Sequence, residues 1–341
     1  MKNQNPSARF FQCINKKIYT AKKIKIKDTI LVVGSPRSGT TWLMDILAAL
    51  PDYTYTFEPL NPIWSPGCFE VGFSSRTFIE TDKSWPEGED YLKKIFTGNI
   101  SDIPIKDSLI LSLITGFSIR NTMRQLFGNK LIVKSVNMNR MLPWIAKKFQ
   151  LRKIFFIIRH PCAVIASQLK TGLCGYRSSN YPYKDIFPTQ KDILDEASKI
   201  TEFDNKLHNI LKKKIKIEEI LAISWCLDNY IPLSYKKPNK WSFIFYEKLV
   251  KDGEKEIINI FNEIGEHKIP DEAFYKLKKP SVVVVKKEKK FIKKPIEQLS
   301  KWKKTLSKTQ IENILKIVSE FGLGFYSDEI EPNNDYIQTI L

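Results

Sequence analysis

No stretch of the 341-residue chain is apolar for the length needed to cross a bilayer. Residues 1 to 28, "MKNQNPSARFFQCINKKIYTAKKIKIKD", have no apolar centre of the kind a secretory signal carries, so a cytoplasmic location is the expectation. Cysteine is scarce. Cys13, Cys68, Cys162, Cys174 and Cys226 contain no C-x-x-C pair, and their odd number cannot close into a complete disulfide framework, so mostly buried thiols are expected. Histidine is scarcer, with His160, His208 and His267 alone, which leaves few candidates for an imidazole base. There is no internal repeat. Acidic residues fall well short of basic ones, 37 against 55, and the net charge of +18 draws the protein to anions. That charge does not separate nucleotide, sulfated glycan, nucleic acid and acidic membrane. A hydrophobic content of 43% excludes a disordered chain and supports a large buried core.

What is present is a series of short apolar runs, rich in β-branched and aromatic residues: "TILVVG", "YTYTF", "KLIVK", "KIFFII" and "WSFIFY". Helical patterns such as Ser38 to Leu50 and Glu218 to Leu233 lie between them, long enough to cross over a parallel sheet. The expected class is therefore α/β. The runs end in residues that carry chemistry: Gly34-Ser35-Pro36-Arg37 after the first, Glu58 after the second, Lys134 in the third, Arg159 after the fourth. In an open parallel sheet, ligands bind at the carboxyl ends of the strands, so these residues are expected at one edge. A lysine-dense stretch, residues 276 to 304, surrounds "SVVVV" and reads either as a solvated face or as a binding loop.

The first run continues as "GSPRSGTTWLMDIL", a glycine-bracketed turn opening a helix near Gly39. Free backbone N–H groups and the helix dipole there favour an anion. A nucleoside-triphosphate loop would place a lysine where Thr40 stands. Thr41 is retained, and the cation has moved into the turn as Arg37. This favours a differently arranged anionic group, bound without an obligatory metal.

"SPRSGTTWL" resembles the 5′-phosphosulfate loop of sulfotransferases that use 3′-phosphoadenosine 5′-phosphosulfate (PAPS), and "KIFFIIRHPCAVIASQL" resembles their 3′-phosphate-binding strand, turn and helix. The resemblance implies a three-layer fold like that of P-loop NTPases, with a central parallel sheet flanked by helices. It implies that Ser35, Pro36, Arg37, Ser38, Gly39, Thr40 and Thr41 bind the 5′ end of the donor, that Arg159 and Ser167 bind its 3′-phosphate, and that the product is 3′-phosphoadenosine 5′-phosphate (PAP). An arginine offers forked donors to a phosphate and a serine adds a hydroxyl. Later segments are similar in order, so one sulfotransferase domain is expected over 25–327, between a polar basic segment, 1–24, and a tail, 328–341. The late basic loop that covers the nucleotide in such enzymes corresponds to Ser281 and the lysines from Lys286 to Lys290.

Sulfuryl transfer to a hydroxyl needs a base for the acceptor proton and positive charge around the sulfuryl group. None of the histidines is well placed for this. "TFEPLNPIW" resembles the segment of carbohydrate sulfotransferases whose glutamate is the proposed base, which implies Glu58 as base and a carbohydrate or other hydroxyl as acceptor. Glu58 can alternatively answer Arg37 as an ion pair. Lys134 and Arg37 complete the expected catalytic set. Trp64, Phe69, Phe73 and Trp85 either stack on sugar rings or belong to the core. No metal, nucleic acid or membrane span is expected. Two other readings stay open: a P-loop kinase or nucleotide hydrolase, which the missing lysine disfavours, and a non-catalytic binder of anionic polymers, which leaves Glu58 unexplained.

Overall fold

The computed structural model describes residues 24–62, 65, 67–99, 128–176, 186–200, 215–235, 241–278 and 295–340. All five apolar runs form strands: β1 (Thr29–Val33), β2 (Tyr53–Phe57), β3 (Lys130–Ser135), β4 (Lys153–Ile158) and β5 (Ser242–Phe245). They make one sheet in the order β2-β3-β1-β4-β5, and every neighbouring pair is parallel. The strands therefore end at the same edge. After β1 the chain moves to the β2–β3 side, and after β4 it moves to β5 on the other side. The switch point is the crevice between the carboxyl ends of β1 and β4.

Helices cover both faces, because successive strand residues point to opposite sides and both sides are apolar. Leu31, Val33, Leu131, Val133, Ile154, Phe156 and Ile158 face one core. It is closed by α2 (Leu142–Lys148), α3 (Pro161–Thr171), α4 (Ile217–Ser234) and α8 (Lys308–Glu320). Ile30, Val32, Ile132, Phe155, Ile157 and Ile244 face the other, closed by α1 (Thr40–Leu47), α5 (Tyr246–Lys251), α6 (Gly253–Glu263) and α7 (Asp271–Leu277). The fold is the three-layer, P-loop NTPase-like α/β arrangement.

Several expectations are decided by this packing. Cys68, Cys162, Cys174 and Cys226 are buried, and burial pushes the Cys162 thiol up to about 12, which makes it a packing residue. Phe73 is buried with its ring 4.5 Å from that of Trp85, and Trp85 lies 6.2 Å from Trp144 of α2. Phe73 belongs to the core, and half-buried Trp85 packs against it. Trp64 lies outside the described residues, as do Cys13, His208, Ser281 and the lysines from Lys286 to Lys290. Among the described residues, no helix is long and apolar enough to cross a membrane.

Candidate active site

The turn after β1 depends on two glycines. A Cβ at Gly34 would sit 2.4 Å from the Ile157 carbonyl oxygen, so only glycine lets the end of β1 pass β4. Gly39, the N-cap of α1, has φ 101°, and a Cβ there would meet the Tyr246 ring at 2.6 Å. Between them Arg37 is held at φ 75°, a left-handed conformation that costs about 1–2 kcal/mol for a residue with a Cβ. Neighbours hold the turn in place. Asn139 Oδ1 accepts from the Gly34 amide at 3.1 Å, Asn229 donates to Ser35 Oγ at 2.9 Å, and Gln168 donates to the Pro36 carbonyl at 3.2 Å. The first-turn amides of α1, at Thr40 and Thr41, have no carbonyl behind them in the helix and open toward the turn.

The two distant motifs meet here. Arg37 Nε donates to Ser167 Oγ at 3.0 Å, and Arg159 Nη1 donates to the Arg37 carbonyl at 3.0 Å. The Arg159 guanidinium lies over the Tyr246 ring, 4.3 Å from its centroid, a cation–π contact that orients the fork. Ser167 faces the crevice because Pro161 starts α3 directly after β4, with His160 as its N-cap. Among the described residues, the buried donors Ser38 Oγ and Arg159 Nε have no hydrogen-bond partner. Buried polar atoms are nearly always paired, so these atoms and the forked arginines fit phosphate oxygens.

On the other side of β1, the ends of β2 and β3 bring Glu58 and Lys134 into a buried ion pair. The Glu58 amide donates to the Lys134 carbonyl at 2.8 Å, which extends the sheet ladder by one bond and turns the carboxylate toward β3. Its other oxygen accepts from the Val136 amide at 3.1 Å. Glu58 is itself left-handed, with φ 49°, and Lys134 also lies 4.5 Å over the Phe57 ring. A carboxylate with two hydrogen bonds still has lone pairs to accept a proton. The sheet order thus places Arg37, Arg159 and Ser167 over β1 and β4, and a carboxylate–ammonium pair over β2 and β3.

None of the described histidines is a base at this site. Nδ1 of His160 accepts from the Cys162 amide at 3.1 Å, so Nε2 carries the proton and donates to the Ser327 carbonyl at 2.9 Å. The ring stacks on Trp302, and burial holds its pKa down to about 4. His267 is exposed beside Asn262. Among the described residues no group of His, Cys, Asp and Glu is arranged to hold a metal ion.

Sequence reading missed several residues of this region. Asn139, Gln168 and Asn229 brace the loop from α2's approach, α3 and α4, and nothing local marks them. Asp45 of α1 is pushed up to about 6 by burial, against the pull of Lys276 and Lys134. Tyr246 and Glu247 were within reach: they end the fifth apolar run as Glu58 and Arg159 end others, and the strand-end rule extends to them. Glu247 is buried, accepts from the His160 amide at 2.9 Å and the Tyr326 hydroxyl at 2.8 Å, and is raised by that burial.

A protein-family model described as the sulfotransferase family matches residues 29–270, a span that runs from β1 past the Tyr246 platform. The chain belongs to the sulfotransferase family. A comparison with curated proteins returns no match. Among solved structures, this sulfotransferase is similar to the sulfotransferase domain of the Synechococcus PCC 7002 olefin synthase, at 20% identity over 88% of this chain and 94% of that one, with a TM-score of 0.45. It is also similar to the sulfotransferase domain of the curacin biosynthetic pathway, at 17% identity over 86% and 96%, TM-score 0.42. Mouse sulfotransferase SULT7A1 complexed with PAP matches at 15% identity over 95% and 91%, TM-score 0.42. Membership of the family supports sulfuryl transfer as the chemistry.

Proposed function

We propose that this sulfotransferase moves a sulfuryl group from PAPS to a hydroxyl of its acceptor. The observation that carries the reading is the meeting of Arg37, Arg159 and Ser167 beside a phosphate loop without its lysine. The α1 amides at Thr40 and Thr41, with Arg37, hold the 5′-phosphosulfate. Arg159 and Ser167 hold the 3′-phosphate, and Tyr246 holds the planar arginine fork against its ring. Glu58 takes the acceptor proton as the acceptor oxygen bonds to sulfur and the bond from sulfur to the bridging phosphate oxygen breaks, and the electron pair leaves with PAP. Lys134 offsets the negative charge that gathers there.

A carbohydrate as the acceptor is supported by the "TFEPL" resemblance; of the aromatics that either stack on sugars or pack, Phe73 is in the core and half-buried Trp85 packs against it. The test is incubation with labelled PAPS against a panel of glycans, glycolipids and phenols, with calorimetry of PAP against Mg-ATP. Label transfer and tighter binding of PAP without Mg²⁺ are expected. Preference for Mg-ATP with no transfer would replace the reading with the kinase or hydrolase alternative.

A further inference from the structure

The span between β2 and the helix Pro86–Phe96 buries a guanidinium that the chemistry above does not use. Arg76 Nη1 donates to the carbonyls of Ser75 at 2.9 Å and Gly175 at 3.1 Å, and to Asn137 Oδ1 at 3.3 Å, while Nη2 donates to the Cys174 carbonyl at 3.0 Å. Its Nε lies 3.2 Å from Asp228 Oδ1 as an ion pair. An apolar side chain would fill the space without the cost of burying a charge, so an arginine here calls for a reason beyond packing.

The partners supply one, because each belongs to a segment that holds part of the site. Asn137 follows β3 by two residues, and its Nδ2 donates to the Leu60 carbonyl at 3.2 Å, just beyond Glu58 and Pro59. The bond from Arg76 to Oδ1 fixes which way that amide faces. Between them, Val136 donates to Glu58. Cys174 and Gly175 follow the C-cap of α3, which carries Ser167 and Gln168. Gly175 lies so close to the loop that a Cβ would come within 2.7 Å of Pro36. Asp228 adjoins Asn229, the donor to Ser35. One planar fork thus ties the left-handed Glu58 turn, the segment against the donor loop, and α4.

We propose that Arg76 is a positioning residue that holds the Glu58 turn and the donor loop at a fixed separation, with Asn137 as its relay to the turn. This rests on the reading of Glu58 as the base. Lysine keeps the charge but cannot reach four acceptors in a plane, and Asp228 retains Arg140 at 2.9 Å, so Arg76→Lys leaves no bare buried carboxylate.

The test compares wild type, Arg76→Lys and Asn137→Ala, each checked for an intact thermal transition. Hydrogen exchange is followed at the amides of Glu58, Leu60 and Asn61 and at 174–176, and turnover is measured with labelled PAPS and the best acceptor of the panel. Faster exchange at both places is expected in Arg76→Lys, and at the Glu58 turn in Asn137→Ala. Because a displacement of about 1 Å can cost 10²-fold, kcat should fall roughly 10- to 100-fold in Arg76→Lys, with the donor KM changed by less than about threefold. In a Glu58→Gln background the same change should cost less than about threefold, since there is no base left to misplace. Unchanged exchange at the Glu58 turn in a folded Arg76→Lys, or the same fractional loss in both backgrounds, overturns the inference. If wild type transfers no label at all, the functional reading fails, while the exchange data still decide whether Arg76 holds the turn.

Discussion

Replacing Arg159 with alanine separates what this residue does for the 3′-phosphate from what it does for the loop. Its guanidinium has two visible functions, a 3.0 Å bond to the Arg37 carbonyl and a buried Nε with no hydrogen-bond partner among the described residues, both steadied by the Tyr246 ring. A charge-assisted hydrogen bond to phosphate is worth about 1.5–3 kcal/mol, or roughly 10- to 150-fold in affinity. The bond that the same charged guanidinium donates to the Arg37 carbonyl, at a part-buried site, falls at the low end of that range, about 1.5 kcal/mol or roughly tenfold, and its loss should weaken any nucleotide that uses the loop. Calorimetry of PAP and of adenosine 5′-phosphosulfate, which has no 3′-phosphate, resolves the two. Arg159→Ala should weaken the second ligand about tenfold, and PAP by a further factor of about 10 to 150. Arg159→Lys keeps the charge without the fork and should fall between wild type and alanine for PAP. Equal losses for both nucleotides would remove the 3′-phosphate from Arg159.

Glu58→Gln should slow turnover at saturating donor by about 10²–10⁴-fold and spare PAP affinity; near-normal turnover would make the glutamate structural. The same change strands the buried Lys134 ammonium, so stability to denaturant should fall, and Lys134→Met added to Glu58→Gln should restore part of it without restoring activity. Gly39→Ala forces a Cβ at φ 101° against the Tyr246 ring and should lower stability by about 1–3 kcal/mol and weaken donor binding; a melting temperature equal to wild type would contradict the loop geometry. His160, held by burial at about 4 against an ordinary imidazole value of 6.5, favours the folded state when neutral: the contribution is complete above pH 6.5 and is lost as pH falls through 4, about 3 kcal/mol in all. Asp45, raised from 3.8 to about 6, acts with the opposite sign, since the fold favours its protonated form and gains stability as pH falls from 6 toward 3.8. His160→Asn should therefore gain stability relative to wild type between pH 6.5 and 4, and Asp45→Asn should lose it; urea midpoints for the three proteins that stay parallel across this range would refute both assignments.

Much of this architecture follows from local pattern. Each strand buried on both faces reads as an apolar run, so "TILVV", "KIFFII" and the others were visible as strands before any contact was known. Chemistry-bearing residues at their ends were visible for the same reason, since a parallel sheet sends every carboxyl end to one edge. Gly34, Gly39 and Pro161 announce a turn, a helix start and a second helix start through their own backbone restrictions. What sequence could not decide is partnership. Glu58 and Lys134 become a buried pair because β2 lies beside β3, a neighbour relation set by crossover connections and sheet order. Asp45 acquires its raised pKa, His160 its neutral ring, and Arg76 its carbonyl-lined pocket from segments distant in the chain. The amides of Asn139, Gln168 and Asn229 reach the phosphate loop in the same way, through helices whose packing alone determines which of their polar residues face it. Burial and pairing are properties of surfaces brought together by the whole fold, so they exist only once the layers have closed.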